Sequence, residues 1–208
     1  MNMAMDVFLC PGEKQPMKIL DTKTLVDYQG VRLVRFTIDS PDIAKKAKPG
    51  QFVILMVKEE GERIPLTVVE ADPAKGTIVI IAQQAGLTTR LLCAMKAGES
   101  LYSIAGPLGH PTHIKNYGKV IIIGGGVGIA EIYPVTKAMK SAGNDVTAIV
   151  GSRTKELLIL EKELKEVSHE CIVMSDDGSN GRKGFVTEAL KELLEKTPYD
   201  LVYAVGPL

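Results

Sequence analysis

Cysteine is scarce in this chain, with three in 208 residues. Cys10, Cys93 and Cys171 are scattered, odd in number and never spaced C-x-x-C. That argues against a disulfide framework or a metal site within the chain, and leaves free thiols as the expectation. Net charge is missing as well, since 25 basic residues balance 25 acidic ones. Nothing electrostatic therefore calls for nucleic acid or an anionic membrane as partner. Long apolar runs are absent. Runs such as residues 52–57 and 120–123 fall far short of the about 20 residues that span a bilayer. The first 16 residues lack a basic start followed by an apolar stretch, so they do not read as a signal peptide. Residues 1–17 read as an irregular extension, and a cytoplasmic location is the default expectation.

What is present is ordinary for a globular protein: 45% hydrophobic and 24% charged residues, enough for one large domain or two small ones. Two rhythms divide the chain. Residues 18–105 hold short β-rich runs at 31–39, 51–57, 66–70, 77–82 and 100–105, separated by turn residues such as Lys48-Pro49-Gly50. In the first run Val34, Phe36 and Ile38 alternate with Arg35 and Thr37, as in a half-buried strand. This pattern predicts an antiparallel β-barrel or sandwich. One helix interrupts it, with Leu87, Leu91, Leu92 and Met95 on a common face. After Gly118, strands at 119–123, 145–150, 170–174 and 201–205 alternate with helices at 127–141, 155–166 and 185–196. Strands alternating with helices predict a parallel sheet with crossover helices. The fold class expected is two-domain, an antiparallel β-barrel followed by an α/β parallel-sheet domain. The boundaries read 18–113 and 118–208, with a linker across 109–118.

The strongest local signal is Gly124-Gly125-Gly126-Val127-Gly128, where the first parallel strand turns into a helix. Missing side chains let a pyrophosphate approach the backbone, and the helix N-terminus presents unpaired N–H groups to it. A tight turn with no ligand is the plain alternative, but four glycines in five positions exceed what a turn needs. The run does not match G-x-G-x-x-G/A, because the third small residue falls on Ile129 or Glu131. No acid for a ribose ends the next strand, which runs out at Gly151-Ser152-Arg153. A P-loop is excluded because G-x-x-x-x-G-K-[ST] does not occur. Asp176-Asp177-Gly178 begins like a calcium loop, but Gly178 sits at a ligand position and Thr187 where the bidentate Glu belongs. His110, His113 and His169 read as surface or turn histidines.

A β-rich half followed by Gly-Gly-Gly-Val-Gly-Ile-Ala opening a parallel sheet resembles the ferredoxin–NADP reductase superfamily, across nearly all of residues 18–208. Four stretches carry the resemblance in the family's order. Arg63-Ile64-Pro65-Leu66-Thr67 is similar to its flavin motif, with Pro65 in place of the usual Tyr and the hydroxyl one place later. The resemblance implies that Arg63 pairs with a flavin phosphate and that Pro65, Leu66 and Thr67 lie along the isoalloxazine. It implies that Gly86, Thr88 and Thr89, at a helix start, receive the FAD pyrophosphate. Gly106-Pro107-Leu108-Gly109 resembles the turn that closes the family's barrel. Gly124, Gly125, Gly126, Gly128, Ser152, Arg153, Asp176, Asp177, Gly178, Gly206 and Pro207 would form the NAD(P) side.

Particular similarity is to the small subunit of the bifurcating NADH-dependent ferredoxin–NADP reductases and to the dihydroorotate dehydrogenase electron-transfer subunit. The implied activity is hydride transfer between a nicotinamide and FAD, with no protein acid or base, followed by electron delivery. The implied acceptors are a larger oxidoreductase subunit, ferredoxin, or another one-electron acceptor. NADH is favoured over NADPH, although Arg153 and Lys155 stand where a 2′-phosphate is received. Such relatives carry a four-cysteine [2Fe-2S] motif beyond the segment matching Gly206-Pro207-Leu208, so a cluster is expected only in a partner or in a longer native chain. Two competing functions remain: a non-catalytic nucleotide-binding regulatory subunit, and a self-contained NADPH oxidoreductase.

Overall fold

The structure is a computed structural model that describes residues 17–206, so the expected extension, including Cys10, lies outside the described residues. The N-terminal half begins with β1 (Met17–Tyr28) and β2 (Val31–Asp39), an antiparallel hairpin. The short helix α1 (Pro41–Ala44) leads into β3 (Phe52–Met56), β4 (Ile64–Thr67), β5 (Glu70–Asp72) and β6 (Thr77–Gln83). Helix α2 (Leu87–Ala94), β7 (Ser100–Leu101) and β8 (Ser103–Leu108) complete this half. Two antiparallel sheets result, ordered β5-β6-β2-β1-β7 and β4-β3-β8. They wrap around one apolar cluster in which Val34, Phe36 and Ile38 of β2 meet Val53 and Leu55 of β3 and Ile104 of β8. Phe36 and Ile38 are fully buried, as the alternating pattern requires.

The C-terminal half is a parallel sheet. Strands β9 (Lys119–Gly125), β10 (Asp145–Ser152), β11 (Glu170–Ser175) and β12 (Leu201–Val205) lie in the order β11-β10-β9-β12. Helices α3 (Gly128–Ser141), α4 (Glu161–Val167) and α5 (Val186–Lys196) form the crossovers. Val120 and Ile122 of β9 join the cluster under α3 and α4. Ile121 and Ile123 join the cluster under α5. Burial on both faces explains why this strand is uniformly apolar rather than alternating. The chain leaves β9 toward β10 and returns to β12 on its other side, so the carboxyl end of β9 lies where the strand order reverses.

The two halves share apolar surface. Val26, Leu33, Val69, Val79 and Ile81 belong to the same cluster as Ile129, Ala130, Ile132 and Tyr133 of α3. Tyr133 is buried there, and burial together with the nearby Glu70 carboxylate pushes its hydroxyl up to about 12. Residues 109–118 are tied at both ends. Thr112 N–H donates to Pro49 O, and the Gln51 side chain donates to Gly109 O. The buried Asn144 carboxamide accepts the N–H groups of Tyr117 and Gly118.

Several expected elements differ. The run at 66–70 is divided between β4 and β5, and that at 100–105 between β7 and β8. Gly106 and Pro107 lie within β8, the last strand of the β-rich half, rather than in a turn, and a side chain on Gly106 would strike Val53. The helix expected at 155–166 is a 3₁₀ turn, Lys155–Leu157, followed by the separate α4, with Leu160 at φ 55° between them. Four successive apolar residues, Leu157 to Leu160, cannot all face one side of a helix. Breaking the helix lets Ile159 enter the core while Leu157, Leu158 and Leu160 pack against it from the rim. Leu87, expected on the inner face of α2, is 73% exposed at its first turn. His113 and His169 have partners: the ring Nδ1 of His113 lies 3.0 Å from Tyr117 Oη, and Nδ1 of His169 accepts the Val146 N–H.

Candidate functional site

A cleft of about 350 Å³ opens on the seam between the halves. Pro65, Leu66 and Thr67 of β4 line it, with Ile81 and Gln83 of β6 and Ala85 beyond. The first turn of α3 supplies the opposite wall through Val127, Ala130 and Glu131. Pro65 to Thr67, marked in the sequence, therefore face the start of α3, where Val127 is the one residue of the marked glycine run that lines the cleft. Glu131 was not marked. It is the one charged side chain in that wall, and burial raises its carboxyl pKa. Sequence reasoning met it only as the residue that spoils a glycine fingerprint.

The glycine turn is built by packing as much as by ligand access. A Cβ on Gly124 would lie 2.8 Å from Ile132 Cδ1 and 3.0 Å from Ile129 Cα. One on Gly128 would lie 2.7 Å from the Val205 carbonyl oxygen at the end of β12. These two glycines let α3 seat directly on the sheet. Gly126 differs: it has φ 56°, and a Cβ there would meet nothing within 4 Å. Its N–H donates to Gly151 O, which ties the turn to the tip of β10. Helix α3 has no side-chain cap, and the Ile129 and Ala130 amides close its first turn on the Gly126 and Val127 carbonyl oxygens. Gly206 sits beside Gly125, with an added Cβ 3.4 Å from the Gly125 amide nitrogen. Pro207 lies outside the described residues.

The remaining nucleotide-side residues gather at the tips of β10 and β11. Ser152 is buried, and its hydroxyl donates to Thr154 O at 2.7 Å. Arg153 is exposed. Thr154 Oγ1 is buried with no hydrogen-bond partner among the described residues. The Asp176 and Asp177 amides donate to Ser152 O and Arg153 O, locking the two tips together. Asp177 accepts the hydroxyl and the amide of Ser179 at 2.6 and 2.9 Å, which hold its carboxyl below the usual range. The Ser179 hydroxyl in turn accepts the Lys155 N–H at 2.8 Å. Gly178 turns this loop at φ 80°.

The start of α2 is organised differently. Thr89 Oγ1 accepts the N–H groups of Ala85 and Gly86, each at 2.9 Å. The Thr88 hydroxyl is buried and donates to Glu62 at 2.8 Å. Both hydroxyls therefore serve this chain's own groups, and what faces outward is the backbone of the first turn beside Gly86, where a Cβ would meet open space. Arg63 is exposed at the head of β4. It is near Tyr102, whose hydroxyl donates to Glu59 and is held above its usual pKa mainly by that bond. The two cysteines here do not take part. Burial raises Cys93 and pushes Cys171 up to about 11, which keeps both as unreactive thiols.

A larger groove of about 820 Å³ lies elsewhere along the same seam. The Arg35–Glu70 ion pair, 3.2 Å, and Tyr133, Lys48 and Lys137 line it. Neither Pro65 to Thr67 nor Val127 reaches it, so size alone does not mark the site. Among the described residues there is no His, Cys, Asp and Glu group that could hold a metal ion, and no helix long and apolar enough to cross a membrane.

Residues 122–208 match the family model of the oxidoreductase NAD-binding domain. The chain is 46% identical to a dihydroorotate dehydrogenase B (NAD(+)) electron transfer subunit homolog of Thermotoga maritima, over 83% of this chain and 61% of that protein. It is 31% identical to the dihydroorotate dehydrogenase B (NAD(+)) electron transfer subunit of Geobacillus thermodenitrificans, over 85% of this chain and 69% of that one. Among solved structures, a chain of an NADH-dependent reduced ferredoxin-NADP oxidoreductase, studied for flavin-based electron bifurcation, superposes with a TM-score of 0.85 at 42% identity, covering 94% of this chain and 69% of that one. The chain thus spans a little over three fifths of the Thermotoga relative's length. With this similarity and the barrel-then-parallel-sheet architecture, the chain belongs to the ferredoxin-reductase-like family of dihydroorotate dehydrogenase B electron-transfer subunits and their homologues.

Proposed function

We propose that this chain is an electron-transfer flavoprotein subunit: it passes a hydride between NAD(P)H and FAD and hands the electrons to a partner. The observation that carries the reading is the cleft in which Pro65, Leu66 and Thr67 face Val127, Ala130 and Glu131. Hydride transfer between two cofactors needs their rings stacked and held, not a protein acid or base. A narrow space between the two halves suits that task. In this reading residues 18–113 form the FAD-binding domain and residues 118–208 the NAD(P)-binding domain.

The residues present fit both groups. Bound FAD supplies the hydride-accepting ring. Pro65, Leu66 and Thr67 flank it, and exposed Arg63 is placed to pair with its phosphate. The open backbone at Gly86, with Thr88 and Thr89 bracing the helix start, receives the pyrophosphate. On the other side, Gly126 and the uncapped start of α3 take the nicotinamide nucleotide's pyrophosphate, with Gly124, Gly125, Gly128 and Gly206 shaping the floor. Ser152, Arg153, Asp176, Asp177 and Gly178 edge the adenosine end, where the unpartnered Thr154 hydroxyl is a ready donor. NADH is the favoured donor, because the chain is similar to a chain of an NADH-dependent reductase, and the exposed basic pair Arg153 and Lys155 reads as a solvated start of the segment after β10.

The named relatives are subunits, which supports a larger oxidoreductase subunit as partner, with ferredoxin or a comparable one-electron carrier as acceptor. Any [2Fe-2S] cluster belongs to that partner or to further chain. The test is an absorbance spectrum of the purified protein before and after NADH and NADPH are added separately. Bound flavin bleached faster by NADH supports the reading. A colourless, folded protein that binds NADH favours the non-catalytic alternative. Replacing Arg63 by Ala should release flavin without unfolding the chain.

A further inference from the structure

Glu131 stands in the cleft without a counter-charge. It occupies the first turn of α3, half-buried, facing a wall of Pro65, Leu66, Thr67, Val69 and Ile81. The polar groups lining the same cleft, the Thr67 hydroxyl and the Gln83 carboxamide, are neutral. No ion pair or hydrogen bond engages the Glu131 side chain among the described residues. A carboxylate removed from water without a partner is destabilising, and the only offset within reach is the positive end of the α3 dipole, a partial charge rather than an ion-pair partner. A ligand that brings positive charge into the cleft supplies that partner.

We infer that the Glu131 carboxylate is the counter-charge for the oxidised nicotinamide ring, so that the site discriminates between the two redox forms of the nucleotide by charge. The inference rests on the functional reading above. In hydride transfer the C4–H bond of the dihydronicotinamide breaks with its electron pair, and an N–H bond forms on the flavin. The nicotinamide is left with one positive charge and the flavin with one negative charge. The neutral reduced ring gains little from a neighbouring carboxylate, whereas the cationic ring gains a short-range attraction. Glu131 therefore distinguishes the oxidised from the reduced nucleotide by charge, a differential interaction rather than uniform binding. Its position on a helix seated firmly on β9 by Gly124 holds the carboxylate in place.

The experiment is calorimetric titration of the full, FAD-loaded chain with NAD+ and with 1,4,5,6-tetrahydro-NAD, a neutral analogue that cannot give up a hydride. Glu131→Gln should weaken NAD+ by about tenfold and leave the analogue within roughly twofold, the size expected of one solvent-screened charge pair. Glu131→Asp should keep most of the preference. Because Glu131→Gln removes an unpaired half-buried charge, its melting temperature should equal or exceed that of the parent, which separates misfolding from lost recognition. Equal losses for both ligands, or no loss for either, overturn the role of Glu131 while leaving the functional reading intact. A parent chain that binds neither ligand overturns the functional reading and this inference with it.

Discussion

Two turns in this chain present the same signal in sequence, a glycine followed by a helix, and use it in different ways. At the start of α2, Thr89 takes up the Ala85 and Gly86 amides, and a Cβ at Gly86 would meet nothing. At the start of α3 no side chain caps the helix, and two of the glycines are required by close approach, Gly124 to Ile132 and Gly128 to the Val205 carbonyl. The first turn is locally satisfied and its glycine is spared by openness. The second is built by tertiary packing, with its Gly126, Ile129 and Ala130 amides bonded to backbone carbonyls rather than to a capping side chain. Glycine in a strand-to-helix turn thus reports either of two pressures, and only the neighbouring atoms tell which.

Substitutions sharpen this contrast. The largest effect belongs to Gly128→Ala, because the atom its methyl would strike is backbone, which cannot rotate away. We expect a loss of roughly 3 kcal/mol in urea unfolding, the upper end of overpacking costs, and a loss near zero would contradict the packing account. Gly126→Ala comes next. Its methyl has room but its φ is 56°, so it should cost about 1–2 kcal/mol in backbone strain. It should also weaken NADH binding in fluorescence titrations by placing a methyl in the open side of the turn. Retained affinity would remove Gly126 from the nucleotide site.

Thr89→Ala tests the locally satisfied turn. It should lower stability by about 1 kcal/mol, a typical value for a lost cap. Because those amides can then be hydrated, the melting curve should shift without broadening. Smallest is Ser179→Ala, which removes the hydroxyl holding the Asp177 carboxyl low. The pKa of Asp177, followed by NMR, should rise toward the ordinary Asp value. The sign follows from linkage: a depressed Asp lends stability above its unfolded pKa and loses it as pH falls through the folded one. The parent should therefore keep this loop ordered to lower pH than the variant. Identical titration curves would show that the Ser179 contacts do not set the ionisation.

Legibility in the sequence differed between the halves. The apolar strands 119–123 and 201–205 and the alternating strand 31–39 emerge nearly at their observed bounds, because burial on one face or two dictates residue type directly. Strand β1 carried no comparable signal: half of its residues are exposed, and Val26 and Ile19 alone are buried. The 155–166 helix failed for a related reason, since its apolar run is read as helical until Ile159 is known to have a core to enter.

The site shows the same division. The sequence alone determined the architecture and the glycine turn, which are local patterns of residue type and spacing, while Arg63 to Thr67 and Gly86 to Thr89 stood out only through resemblance to a family. Only the tertiary structure decided that β4 and α3 share a cleft, that the hydroxyls of Thr88, Thr89 and Ser152 are already engaged, and that Glu131 faces that cleft unpaired. The physical reason is that chain chemistry fixes which groups are available, whereas exposure, pairing and electrostatic cost depend on atoms far away in sequence that folding brings within a few ångströms.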